Sequence, residues 1–298
     1  MRKGPLPASI EASPTQIVEK SELFLSVPQG SRIYLTDLGN CPDPVIVNAA
    51  RQIRDMGCIA VPHLAARRFA SQEAFETRIK ALAAEAGVNE ALVIAGESSS
   101  PGPLASSLAM LQTGLFDALG FKHIAVAGHP EGSPDVPSAV IYDYLLHKHS
   151  FARNSDAEFR IVTQFGFDPE KVIAWLGELE SFGNEFPVHI GIAGPAKVST
   201  LLKFAAIAGV GNSINFLKKR SGSMLTMLAG YDPDDVVNRL EDHVALNAQS
   251  QLAQIHVYPF GGVRKSGEWL VQRGSWALGS EGHTTGEHAP FLKKEVIE

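Results

Sequence analysis

A single carboxylate, Glu11, interrupts an apolar run near the N-terminus, where residues 10–14 read IEASP. Burial at the end of a strand would raise the pKa of this carboxyl and keep it partly protonated near neutral pH. A carboxyl in that state is suited to general-acid chemistry. The alternative is a structural carboxylate paired with an inward-facing Arg or Lys, and Glu11 alone does not separate the two readings.

Other polar residues follow apolar runs in the same manner. Gly96 allows close approach to the backbone, Glu97 adds a second carboxylate, and residues 98–102 (SSSPG) offer amides and hydroxyls. An ordinary βα loop explains this segment equally well. His63, near the end of another apolar run, would bond a cofactor ring or phosphate, or instead satisfy a backbone group.

Gln164 would bond the amide edge of a heterocycle, with Phe165 or Phe167 stacked near it. We expect at least one of these phenylalanines to be plain core. The sequence lacks HExxH, CxxC, GxSxG and Walker motifs, and no GxGxxG follows the first strand. Metal-hydrolase, serine-hydrolase, P-loop and Rossmann-type readings therefore have little support.

The elements that must position these residues alternate regularly. Segments with helical spacing, such as 72–87, 107–120 and 170–183, separate short β-branched runs. There are eight such runs: 8–13, 32–38, 58–64, 91–97, 123–131, 158–165, 187–194 and 254–260. This alternation predicts an α/β fold, a (β/α)8 TIM barrel, in which chemistry occurs at the C-terminal ends of the strands.

The predicted organisation is one barrel domain, 1–278, followed by a flexible C-terminal tail, 279–298. A helical insertion between strands seven and eight, 197–251, would lie over the barrel mouth. Within it, the acidic sequence at 232–235 predicts the start of a helix that runs to about residue 248.

Composition narrows the functional classes. The chain has 298 residues, a formal charge of -6 and no basic run, which argues against a nucleic-acid partner. No apolar run approaches the roughly 20 residues of a membrane span, and no signal peptide is recognisable. Cys41 and Cys58 have no metal-binding spacing, so we expect no metal, reduced thiols and a cytoplasmic location. Apolar positions on outer helices suggest a homo-oligomer.

Taken in order, the strand ends resemble the methylenetetrahydrofolate reductases, which are flavin-dependent (β/α)8 enzymes, over most of residues 8–275. The segment at 10–14 stands where that family has FEFFPP, and Thr36 stands at its strand-two threonine. The other matches are PHL at 62–64 for PHLT, AGE at 95–97 for RGD, GHPEGSP at 128–134 for YPEGHP, and VTQF at 162–165 for ITQFFFD.

The resemblance implies roles for individual residues. Glu11 would be the general acid that opens the five-membered ring of 5,10-methylenetetrahydrofolate, and Glu97, Gln164 and Phe165 would contact this folate. FAD would be the cofactor, reloaded by NADH or NADPH, and the product 5-methyltetrahydrofolate would feed methionine synthesis. The implied FAD-binding residues are Thr36, His63, Gly96, His129, Glu131, Ser133 and Lys148, the last as a phosphate partner.

The sequence departs from the family pattern around the flavin. Ala95 and Glu97 replace Arg and Asp, and His129 and Ser133 replace Tyr and His. These changes motivate a second hypothesis, a flavin-independent folate-binding barrel that acts in methyl transfer or demethylation; a third is a barrel with only a binding role. The choice between NADH and NADPH stays open, as do the contacts to the folate glutamate tail, for which the candidates are Lys218, Lys219, Arg220, Arg264 and Lys265.

Overall fold

Eight parallel strands close into a barrel, as the sequence predicted. The computed structural model describes residues 4–96, 102–133, 136–207 and 230–276. The barrel strands are β1 Ala8–Ala12, β2 Arg32–Leu35, β3 Ile59–Ala65, β4 Glu90–Ile94, β5 His123–Gly128, β6 Glu158–Gly166, β7 Val188–Ala193 and β10 Leu252–Tyr258. Around the barrel they follow the order β1-β10-β7-β6-β5-β4-β3-β2, so that β1 is hydrogen-bonded to both β2 and β10.

Helices cover the outside of the barrel. They are α1 Pro14–Glu19, α2 Asp43–Asp55, α3 Gln72–Ala86, α4 Ser107–Leu111, α5 Leu115–Ala118, α6 Ser138–Ala152, α7 Pro169–Ser181, α8 Val198–Ile207, α9 Asp234–Leu246 and α10 Val263–Gln272. Short 3-10 turns lie at Ser21–Phe24 and Ala66–Arg68. The predicted segment 107–120 forms two helices rather than one, because Gly114, with φ of +72°, breaks it.

Local sequence sets the point at which the chain leaves each strand. After β1, Ser13 and Gln16 form a reciprocal capping box and Pro14 occupies the first turn, so α1 begins two residues beyond the strand. After β6, the Asp168 carboxylate caps α7 by accepting from the Glu170 amide. Both caps hold a strand end at the barrel mouth.

The insertion after β7 contains α8, a two-stranded antiparallel pair formed by β8 Ala196–Lys197 and β9 Gly230–Tyr231, and α9. Its middle, 208–229, and the predicted tail, 279–298, lie outside the described residues. Cys41 and Cys58 are both free thiols. Among the helices that the structure describes, none is long and apolar enough to cross a membrane.

The barrel interior is layered along its axis. A charged layer at the N-terminal ends of the strands contains Arg32, Glu90 and Arg160. An apolar layer lies above it, formed by Tyr34, Val61, Leu92, Ala125 and Val162. A second apolar cluster, under α8 at the mouth, contains Phe165, Phe167, Ala193, Ala196, Leu201 and Ala205. The residues of the candidate site lie above the first apolar layer.

Candidate active site

Glu11 points into the barrel, one residue before the end of β1. Its side chain is only 11% exposed, and its Oε1 lies 3.4 Å from Nε2 of His63 and 3.4 Å from Nε2 of His256. The contact with His256 has hydrogen-bond geometry. The Nε2 of His63 is buried and forms no hydrogen bond among the described residues. Two imidazoles therefore face the same carboxyl oxygen.

Burial controls the protonation of this cluster. It raises the pKa of Glu11 from 4.5 to about 7, and the charge of His63 opposes only part of that rise. The pKa of His63 is itself lowered, again chiefly by burial. Burial, with a contribution from Arg160, lowers the pKa of His256 to about 3. Near neutral pH, Glu11 therefore exists as both acid and carboxylate, beside a neutral His256.

A charged network lies beneath the site and contacts it through Tyr34. The Glu90 carboxylate accepts from Arg32 at 2.7 and 3.0 Å and from Arg160 at 2.7 Å. The Nε of Arg160 also donates to the Tyr34 hydroxyl at 3.0 Å, and the Tyr34 ring lies 4.4 Å from the His256 ring, centroid to centroid. The structural ion pair that we considered for Glu11 is thus formed instead by Glu90, in the charged layer beneath the apolar one.

A bulge in β6 positions Gln164 and Phe165. Val162 pairs with His189 of β7, whereas Phe165 pairs with Gly191, so β6 carries one extra residue in this interval. A Cβ at Gly191 would lie 2.5 Å from the carbonyl oxygens of both Thr163 and Gln164. Only glycine lets the bulged strand come so close, and the bulge leaves the Gln164 side chain exposed at the mouth.

Aromatic rings form one side of the mouth. The aromatic wall consists of Phe165, Phe204, Tyr258 and Phe260, with Phe204 stacked on Phe260 at 4.3 Å and an interplanar angle of 20°. The Tyr258 hydroxyl donates to the Thr163 carbonyl at 3.0 Å, which fixes the wall to the β6 bulge. Phe204 is 40% exposed, so the wall offers a flat apolar face to a ligand. Phe167 is fully buried, as expected for a core residue.

The residues assigned to FAD fall into two groups. Thr36 belongs to the group around Glu11, because its hydroxyl donates to the carbonyl of Ala12 at 3.4 Å. His63 is in the same group. His129 and Lys148 form a second group beside β5 and α6, where the charge of Lys148 adds to burial in lowering the pKa of His129.

Lys148 is the most unusual member of the second group. Its side chain is buried, and no carboxylate pairs with it in the part of the chain that the structure describes. Burial alone lowers the pKa of the Lys148 ammonium to about 8. A buried cation without a counterion is suited to an anionic ligand such as a phosphate.

The remaining candidates are placed less tightly. Gly96 has φ of +72°, and a Cβ there would lie 2.7 Å from Cβ of Ala65, so the turn after β4 requires glycine. Glu131 is half-buried beside Gly166, and Ser133 is half-buried. Glu97 lies outside the described residues, as do Lys218, Lys219 and Arg220, whereas Arg264 and Lys265 are exposed at the start of α10.

The structure also adds residues that sequence reasoning missed. Ser9, Tyr34, His256 and Tyr258 all touch the Glu11 cluster or the aromatic wall. A signal was present: Ser9 and Glu11, and likewise His256 and Tyr258, are two apart within apolar strands, the spacing that places side chains on one face. No group of three or more His, Cys, Asp or Glu among the described residues is arranged to hold a metal ion.

Comparison with known proteins gives a fold-level likeness only. No protein-family model matches the chain. It is similar to the dihydropteroate synthase of Thermus thermophilus, with a TM-score of 0.47 and 13% identity over 90% of this chain and 93% of that one. The Yersinia pestis dihydropteroate synthase gives a TM-score of 0.43 and 12% identity, over 92% and 93% of the two chains. At these values, the likeness adds nothing to the functional argument, which depends on the residues of the site.

Proposed function

We propose that this barrel is a FAD-dependent reductase that converts 5,10-methylenetetrahydrofolate to 5-methyltetrahydrofolate with electrons from NADH or NADPH. The observation that carries the proposal is Glu11: a buried carboxyl at the barrel mouth, with a pKa of about 7, at the position where the resembling family has its general acid. A carboxyl tuned to neutral pH is what general-acid catalysis requires.

In this reaction, Glu11 protonates the ring nitrogen that leaves the one-carbon unit. The carbon–nitrogen bond then breaks, its electron pair stays with the protonated nitrogen, and the other nitrogen forms an iminium with the carbon. FAD, when reduced, supplies the hydride that converts the iminium to a methyl group. Burial of Glu11 disfavours its ionised form and so keeps part of the protein protonated, as this step requires, near neutral pH.

The aromatic wall supports binding of a flat heterocycle beside Glu11. Phe204 and Phe260 present a stacked pair to the mouth, and the bulge of β6 places Gln164 there with its side chain exposed. An amide is both donor and acceptor, which matches the donor–acceptor edge of a pterin. We assign pterin contact to Gln164 and Phe165, and also to Glu97 by the family match.

The second group, beside β5 and α6, supports binding of a flavin dinucleotide. The buried Lys148 without a carboxylate partner among the described residues suits a pyrophosphate, and the glycine turn at Gly96 allows a ligand to approach the backbone. His63, Thr36, His129, Glu131 and Ser133 would complete the FAD site. We place the enzyme in the cytoplasm as a homo-oligomer, with no nucleic-acid or membrane partner.

The visible spectrum of the purified protein tests the cofactor. We expect flavin absorption, or its appearance after incubation with FAD and removal of the excess. The matched variant is Lys148→Met, which should take up FAD at least about tenfold more weakly because a charge-assisted contact is lost. A colourless protein that does not take up FAD would overturn the proposal.

A second function is favoured by one residue. Ala95 stands where the resembling family has an arginine, so this position supplies no cation beside Gly96. That substitution supports a flavin-independent, tetrahydrofolate-binding barrel in methyl transfer or demethylation. Calorimetric titration separates the two functions, because this alternative requires tight tetrahydrofolate binding by a protein that does not take up FAD.

A further inference from the structure

His256 forms two polar contacts inside the barrel, one through each ring nitrogen. Its Nδ1 lies 2.9 Å from Oγ of Ser9, and its Nε2 lies 3.4 Å from Oε1 of Glu11. His256 and Ser9 are fully buried and face each other across the β1–β10 pairing. Within the described ranges, the Ser9 hydroxyl has His256 as its only hydrogen-bond partner. The three side chains therefore form a linear series of contacts, Ser9–His256–Glu11.

The direction of the Ser9–His256 hydrogen bond follows from the cost of unsatisfied groups. A neutral imidazole carries one N–H, so Nδ1 either donates to Ser9 or accepts from it. If Nδ1 donated, the buried Ser9 O–H would have no acceptor among the described residues, and its desolvation would not be compensated. If Ser9 donates, its proton is satisfied and the ring proton lies on Nε2. The second arrangement avoids the buried orphan donor.

With its proton on Nε2, His256 donates to Oε1 of Glu11. The proton of a carboxylic acid favours the oxygen that does not already accept this hydrogen bond, so the Glu11 proton is directed to Oε2. Oε2 has no hydrogen-bond partner among the described residues and remains available to a ligand. We propose that Ser9 and His256 are positioning residues, which fix the tautomer of the imidazole and thereby place the transferable proton of Glu11 on Oε2.

The groups around His256 are consistent with a neutral ring. Arg160, below it, opposes a second positive charge, and the Tyr34 ring packs against it from β2. On its own strand, Tyr258 lies 5.0 Å away, and its hydroxyl is committed to the Thr163 carbonyl. His63 faces Glu11 from β3 and is the group that would compete for the same oxygen. A charged His256 would instead hold Glu11 in its ionised form.

The inference deepens the proposed function and rests on it for the role of the proton, but its test needs neither flavin nor folate. Protein labelled with ¹⁵N-histidine is examined by NMR as wild type, Ser9→Ala and Ser266→Ala. Ser266 is the matched control, because it is also a fully buried serine but its hydroxyl has no partner among the described residues. We expect Nε2–H for His256 in all three proteins, and a downfield shift of the Nδ1 resonance in Ser9→Ala alone, because that nitrogen loses the hydroxyl that donates to it.

Turnover supplies the second readout. Ser9→Ala should lower kcat by about tenfold, the value of one hydrogen bond near the reacting group, with little change in KM. A wild-type His256 that is protonated on Nδ1 or charged, or an Nδ1 resonance unchanged by Ser9→Ala, overturns the inference. If the tautomers are as expected but the wild type reduces no folate, the inference stands for the Glu11 proton and the proposed function fails.

Discussion

Replacing Glu11 by Gln should make the protein more stable while it abolishes most of its activity. Glutamine keeps the shape of the side chain and loses only its ionisation. In the folded protein, burial lifts the pKa of Glu11 from 4.5 to about 7, so the ionised form is the one that the barrel disfavours. A neutral isostere avoids this cost.

The magnitude follows from proton linkage. Because the folded protein holds the Glu11 proton more tightly than the unfolded chain does, the free energy of unfolding falls as pH rises from 4.5 to about 7. Above pH 7 the loss is complete and amounts to about 3 kcal/mol for a shift of this size. Glu11→Gln should therefore exceed the wild type by up to about 3 kcal/mol at about pH 8, and should equal it near pH 4.5.

Urea unfolding of both proteins at about pH 4.5 and about pH 8 measures this difference. The control is Glu85→Gln, which removes an exposed pair with Arg51 and should change stability by less than about 1 kcal/mol. Turnover of Glu11→Gln should fall by roughly 10²–10⁴-fold, the usual loss for a general acid. A Glu11→Gln protein that is less stable than the wild type at the higher pH would refute the reasoning, since it would mean that a charged imidazole stabilises the carboxylate.

Three further substitutions should change the free energy of unfolding, which urea unfolding measures for each. Gly191→Ala would place a Cβ 2.5 Å from carbonyl oxygens of the β6 bulge and should lower the free energy of unfolding by about 2 kcal/mol or more. The control Gly177→Ala, on an open helix surface, should be neutral or stabilising. Equal effects of the two substitutions would contradict the close approach of β7 to the bulge. Lys148→Met should stabilise the protein by about 3 kcal/mol at about pH 7, because burial disfavours the Lys148 ammonium, which is the form present below about pH 8. This gain in stability should vanish above about pH 10.5, where the unfolded chain also loses the proton. A gain independent of pH would point to packing instead. Glu90→Gln should destabilise by about 3 kcal/mol, since it leaves the buried Arg160 and the partly buried Arg32 without their carboxylate. A loss as small as that of Glu85→Gln would show that the network is hydrated.

The barrel could be predicted from the sequence because each strand is a compact apolar run bounded by helical periodicity. Such runs as 123–131 and 187–194 contain β5 and β7 with an error of a few residues at their ends. The prediction was weaker where one residue changed the geometry. Gly114 divided a single predicted helix, and the effect of Gly191 on β6 depends on a neighbouring strand that is distant in sequence.

The candidate site was predicted only in part, for a similar reason. Glu11 stood out because a carboxylate is rare within an apolar strand, and burial at the mouth agrees with that expectation. Its partner His256 is 245 residues away, and only the closure of β10 against β1 brings the two together. Which carboxylate Arg32 and Arg160 pair with likewise depends on the layer of the barrel in which each side chain lies, and no local sequence pattern contains that information.

The central claim is that Glu11 gives a proton to a folate nitrogen while a flavin in the same site exchanges hydride with the one-carbon unit. The most direct test is anaerobic single-turnover spectroscopy, in which 5-methyltetrahydrofolate is added to the oxidised, FAD-loaded protein. Flavin absorption should bleach in the wild type, and should bleach at least about a hundredfold more slowly in Glu11→Gln. Equal rates in the two proteins, or no bleaching of a fully loaded wild type, would contradict the role of Glu11 or of the flavin.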